Sequence, residues 1–166
     1  MLDALQIVAE SDEMPFGIDD FFEANSFDRK VFLAVFWCDS EVHQSRFLNF
    51  FASPTCNAVP FVIEALRKIG ADSSAKLFEQ ALSCLLERDP MTSVDQLRER
   101  AKAVLANGSA QQIEQFDLLN RAYFRHHDDV SGLLTRFLFA NIDSFPGGVA
   151  EQLAGSKRLA DESADL

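Results

Sequence analysis

Tyrosine and tryptophan occur once each in this chain of 166 residues, against sixteen phenylalanines. Its large rings therefore mostly lack a polar handle, which favours burial over wet interfaces. Cysteine is scarce too: Cys38, Cys56 and Cys84 are odd in number, widely spaced and without a C-x-x-C pair. Neither a disulfide framework nor a zinc site is suggested, and a reducing cytoplasm is the expected setting. Asn107-Gly108-Ser109, formally a glycosylation sequon, then reads as a turn. No run of about eighteen apolar residues exists, which argues against a membrane span. The opening MLDALQIVAESDEMPF carries acids and no basic n-region, which argues against a secretory signal.

The most informative shortage is of positive charge. Fifteen bases face 26 acids, a net charge of −11. Residues 1–28 hold eight acids (Asp3, Glu10, Asp12, Glu13, Asp19, Asp20, Glu23 and Asp28) and no Lys or Arg. The rest of the chain has 18 acids and 15 bases, a net of only −3. Direct nucleic-acid binding is disfavoured, because neutralising phosphates requires basic patches. A basic partner would instead be attracted by such a field. The bland alternative is that the charge serves solubility, or that residues 1–26 form a solvated arm.

What is present is helical. An apolar fraction of 48% with 25% charged residues is globular, and this length is most economically one domain. Strand signals, alternating β-branched runs bounded by Asn-Gly or Asp-Gly, are nearly absent. Leu2, Leu5 and Val8 suggest a short amphipathic helix, broken by Met14-Pro15-Phe16-Gly17. Ser26 can cap a helix whose stripe is Val31, Val35 and Cys38 beside Phe32 and Phe36. Asp39-Ser40 is the expected kink, after which the helix reaches about Phe51. Phe47, Phe50 and Phe51 lie at i, i+3 and i+4, the spacing of one buried face, with a homodimer seam as the alternative. Asn57 is the expected cap of the next helix, with Pro60 in its first turn and Gly70 as its stop.

Ser73 opens another helix with Phe78, Leu82 and Leu85 inward, ending near Arg88-Asp89-Pro90. Ser93-Val94-Asp95-Gln96 and Ser109-Ala110-Gln111-Gln112 match the capping box. Leu97, Ala101, Val104 and Leu105 would line one of these helices, and Ile113, Phe116, Asn120 and Tyr123 the other. A last stripe is Val130, Leu133, Leu134, Phe137 and Leu138, before Pro146-Gly147-Gly148, with a short helix expected over 149–153. The sum is an all-α single domain of six to eight helices over 27–146, flanked by an acidic segment at 1–26 and a polar tail at 147–166.

Constellations for chemistry are weak. His126-His127-Asp128-Asp129 places four ligand types in a row, but neighbours on a helix point about 100° apart and cannot share one ion. A structural reading fits better: histidines close one helix and both aspartates open the next, each suiting the local dipole. Cys38 and His43 are the closest Cys/His pair, yet i, i+5 spacing suits contact poorly and Cys38 belongs to an apolar stripe. No H-E-x-x-H, no repeated Glu-x-x-His and no phosphate-binding glycine loop occurs. Neither enzyme activity, metal nor cofactor is expected, with a helical enzyme of unrecognised site kept as an alternative.

One resemblance adds to this. Glu41, Phe47, Phe50-Phe51, a Ser-Pro turn and Glu64-Ala65-Leu66-Arg67-Lys68-Ile69-Gly70-Ala71 are similar to the DMP-nineteen-like family. These are all-helical bacterial proteins named for an acidic DNA-mimic member. Their pattern reads Glu-x-x-Asn-Gly-Gly-Phe-x-Gln-Phe-Phe, then Asn-Ser-Ser-Gly, then a helix ending Ala-Leu-x-x-Ile-Gly-Ala. Phe116 to Phe124 and Leu133 to Phe137 also resemble its later helices, so the similarity spans about 28–145. This chain departs at the most specific piece: Ser45-Arg46 stand where the Gly-Gly pair would be, and Ala52-Ser53-Pro54 replaces much of the Asn-Ser-Ser-Gly turn. If those glycines allow close helix approach, the site must pack differently here.

The resemblance implies an acidic, dimeric helical protein that occupies a protein's nucleic-acid-binding surface. Asp12, Glu13, Asp19, Asp20, Glu23 and Asp28 are the candidate partner-binding residues, because carboxylates along a chain can stand where a partner expects phosphates. The partner would be a basic DNA-binding regulator or, in an immunity-like reading, a toxin nuclease whose cationic site is plugged.

Overall fold

The computed structural model describes residues 26–86, 93–125 and 128–145, and among them every regular element is helical. They form α1 (Phe27–Ala52), a 3-10 turn (Pro54–Ala58), α2 (Val59–Lys68), α3 (Asp72–Leu86), α4 (Val94–Asn107), α5 (Ala110–Arg125), α6 (Val130–Ala140) and a second 3-10 turn (Ile142–Ser144). The all-α bundle expected from the pattern is the fold. The segments 1–25, 87–92, 126–127 and 146–166, and with them the expected Leu2–Val8 helix, the Arg88-Asp89-Pro90 end and the helix at 149–153, lie outside the described residues.

Several ends are fixed as their residues dictate. Ser26 Oγ accepts from Arg29 N–H at 3.4 Å, and Ser93 Oγ from Gln96 N–H at 3.2 Å. Ser109 and Gln112 form a complete capping box: Gln112 N–H reaches Ser109 Oγ at 3.2 Å, and Ser109 N–H reaches Gln112 Oε1 at 3.0 Å. At the end of α2, Gly70 takes φ +85°. Gly70 N–H then bonds Arg67 O, and Ala71 N–H bonds Leu66 O at 2.8 Å, the paired closure that a left-handed residue permits.

The break in α1 is not at Asp39-Ser40. The helix runs straight through that pair and is interrupted at Arg46, with φ 69° and ψ 168°. At about 100° per residue, an unbroken helix would point the Phe47/Phe50/Phe51 face about 145° away from the Val31/Val35/Cys38/Val42 face. All seven residues are fully buried, as are Phe32 and Leu33 on the other side of α1. The break re-aims the later face. Arg46 does so in a region essentially reserved for glycine, at a strain of about 1–3 kcal/mol. A glycine at this position would take these dihedrals without that strain.

Other departures are local. Asn57 does not cap α2: Ala58 holds that position without a side-chain bond. Asn57 Oδ1 instead accepts from the Arg98 guanidinium at 2.7 Å, and Arg98 Nε reaches Ser53 O at 3.3 Å, tying α4 to the first 3-10 turn. Leu105 and Ile113, expected on the inward faces, are exposed. Only Asp129 opens α6, its carboxylate accepting from Gly132 N–H at 2.9 Å. Asp128 serves α3 instead, accepting from Ser74 N–H at 2.8 Å and Ser74 Oγ at 3.1 Å. The first-turn amides of α3 are the nearer unsatisfied donors.

The core centres on rings. Phe47 meets Phe78 edge-on at 5.1 Å and Tyr123 at 5.3 Å, while Phe50 meets Phe78 at 5.8 Å. Edge-to-face geometry of this kind adds to the burial of each ring. No homodimer seam is needed to bury Phe47, Phe50 and Phe51.

Candidate functional site

Of the six acids expected to meet a partner, Asp12, Glu13, Asp19, Asp20 and Glu23 lie outside the described residues. Asp28 is in the first turn of α1, half-buried, and accepts a hydrogen bond from Ser144 Oγ at 2.8 Å. Beside it, Arg29 Nε donates to Ser144 O at 2.6 Å. The last 3-10 turn is therefore clipped to the start of α1, where the acidic segment joins the helical body. Asp28 thus commits its carboxylate to that clip.

The described residues hold 13 acids and 12 bases, a net charge of −1. Of the chain's −11, ten units thus lie elsewhere, chiefly in residues 1–25, which carry seven acids and no base. The helical body is close to neutral, with surface pairs such as Arg67–Glu79 at 2.5 Å and Lys102–Glu99 at 2.8 Å.

One acid-lined cleft does stand on the body. Two adjoining depressions of about 290 and 230 Å³ share Asp39, His43, Val130 and Ser131, with Tyr123, Asp128 and Asp129 at one end. The Tyr123 hydroxyl donates to Asp39 Oδ1 at 2.5 Å. Burial first, and then the Asp39 carboxylate, hold that phenol far above its ordinary range. His43 Nδ1 lies 2.8 Å from Asp39 O and 3.4 Å from Asp39 Oδ1, with its ring against Tyr123 and Phe124 at 5.4 Å each. The hydrogen bond to the Asp39 carboxylate raises the His43 pKa, partly opposed by desolvation. Asp39, Asp128 and Asp129 each accept bonds that hold helices in place, so the cleft's carboxylates are structural as they stand.

Cys38 and Cys56 are poor nucleophiles where they sit. Cys38 is fully buried and burial pushes its thiol well up; Cys56 is pushed up to about 11 by burial. Thiolate, the reactive form, is thereby disfavoured at both. Among the described residues, no three His, Cys, Asp or Glu side chains gather as a metal would require, and no helix is long and apolar enough to cross a membrane. A roomier depression of about 480 Å³ lies between α3 and α5, lined by Lys76, Glu79, Gln80, Cys84, Gln115 and Leu118.

Pattern reading missed non-local links such as Tyr123 to Asp39 and Asn120 to Phe47 N–H (3.1 Å). The second had a signal. Asn120 falls on the apolar stripe of α5, and a polar residue at a core position implies a buried partner.

The model of the family described as DMP19-like protein matches residues 23–141. No curated protein and no solved structure matches the chain at a significant level.

Proposed function

The chain belongs to the DMP19-like family, and on that premise we propose that it is a non-enzymatic interaction protein that captures a basic, DNA-binding partner by presenting carboxylates in place of phosphates. The observation that carries this reading is the partition of charge. Residues 1–25 hold seven acids and no base, while the described helices sum to −1. A surface built for phosphate-binding Lys and Arg attracts such a segment by long-range electrostatics. The helical body then acts as a scaffold in the cytoplasm, with Asp12, Glu13, Asp19, Asp20 and Glu23 as the contact acids and Asp28 at their junction with α1.

Capture from native lysate at low salt, followed by elution with duplex DNA, tests the reading. The expected outcome is a DNA-binding protein that DNA displaces and that about 0.5 M salt releases, since screening shortens the field to a few ångströms. Neutralising Asp12, Glu13, Asp19, Asp20 and Glu23 to their amides should abolish capture while leaving the melting temperature unchanged. Capture that survives both DNA and the amide variant would sink the proposal.

A further inference from the structure

α5 is fastened to α1 by one polar contact per turn. Asp117 Oδ1 meets the Arg46 guanidinium at 3.2 Å, Asn120 Oδ1 accepts Phe47 N–H at 3.1 Å, and Tyr123 donates to Asp39 at 2.5 Å. The three contacts bracket the break in α1, and the middle one takes the amide next to the strained residue. Arg46 is the one non-glycine residue at positive φ among those described. Its side chain is largely exposed, as is much of Asp117, and such a pair returns little of the backbone strain. Something other than that ion pair keeps Arg46 in place.

The apolar hold on α5 is uneven. It buries Phe116, Asn120 and Tyr123, whereas α1 buries eleven residues. Leu118 and Phe124 remain exposed, and the 480 Å³ depression runs along its contact with α3. Segments with few buried apolar contacts open locally at lower free energy than the core around them.

We propose that α5 is a strap whose closure imposes the strain at Arg46. It lifts from α1 as a unit before the rest of the bundle unfolds, and lifting frees residues 46 and 47 to take ordinary backbone angles. Opening uncovers the ring faces of Phe47 and Phe78 that Tyr123 covers at 5.3 and 5.7 Å. The strap is thus a built-in gate over an aromatic surface, tensioned by one residue.

Native-state hydrogen exchange on the full chain tests this. In the wild type, amides of residues 110–125 should exchange through an opening cheaper than global unfolding and with a smaller denaturant dependence than those of α1. Arg46→Gly removes the strain but also the ion pair, so Asp117→Asn, which removes only the pair, is its reference. Relative to D117N, R46G should slow exchange over 110–125 by about tenfold, because the closed state alone is relieved. If instead packing of Phe50 and Phe51 imposes the break, strain persists with the strap open. R46G would then change global stability and leave exchange over 110–125 at its D117N rate, or shift all helices alike; either result overturns the proposal.

Discussion

Two halves of the bundle are held by different chemistry. Where α1 meets α2 and α3, the contact is apolar: Phe47, Phe50, Phe51, Val62, Leu66 and Phe78 are buried to within 1% exposure. Where α1 meets α5, the Tyr123–Phe47 ring contact is joined by three single hydrogen bonds, accepted by Asp117 and Asn120 and donated by Tyr123. Apolar contact is non-directional and scales with area, so it sets how much the first half resists unfolding. Hydrogen bonds contribute less net free energy but tolerate no substitute partner, so they set where the second half sits. Strength and register are thereby divided between two faces of one helix.

The largest effect should come from breaking the apolar half. Phe78→Ala deletes a ring touching Phe47, Phe50 and Tyr123, and should destabilise by about 3–5 kcal/mol in denaturant unfolding. A loss under about 1 kcal/mol would mean this cluster is not the structural centre. Next comes the polar half: Asn120→Ala orphans the buried Phe47 N–H and should lose about 1–3 kcal/mol, with Asn120→Leu no better despite its added apolar surface. A neutral Leu variant would show that α5 is held by area after all.

The smallest effect is a titration. His43 has a raised folded pKa, so its contribution is fully present below the unfolded value of about 6.5 and disappears as pH rises through the folded value. Stability should therefore fall modestly from pH 6 upward through neutrality. His43→Gln should flatten that slope, and an unchanged slope would assign it elsewhere.

Much of the scaffold was legible because its signals are local. Ser26, Ser93, Ser109 with Gln112, and Gly70 each act within four residues of themselves, and each behaves as its type requires. The family and its all-α fold were legible in the Phe47–Ala71 stretch for the same reason. What escaped is non-local. Tyr123 and Asp39 are 84 residues apart in sequence, and Asp128 caps a helix that begins 56 residues earlier. The break at Arg46 falls on a residue type that carries no local breaking signal; Asp39-Ser40 offers short polar side chains that compete for backbone bonds, yet Asp39 spends its carboxylate on Tyr123. Of the candidate site, only Asp28 falls among the described residues, and its bond to Ser144 was invisible to pattern.

The uneven placement of charge has a further, colloidal consequence. Helices summing to −1 would repel one another hardly at all, and exposed Trp37, Leu118 and Phe139 would meet in concentrated solution with little to keep them apart. The carboxylates proposed to draw a cationic partner would also push copies of the same chain away from each other. Shielding those carboxylates, by salt or by the partner itself, removes that repulsion, so capture and self-association become linked outcomes of a single charge reservoir.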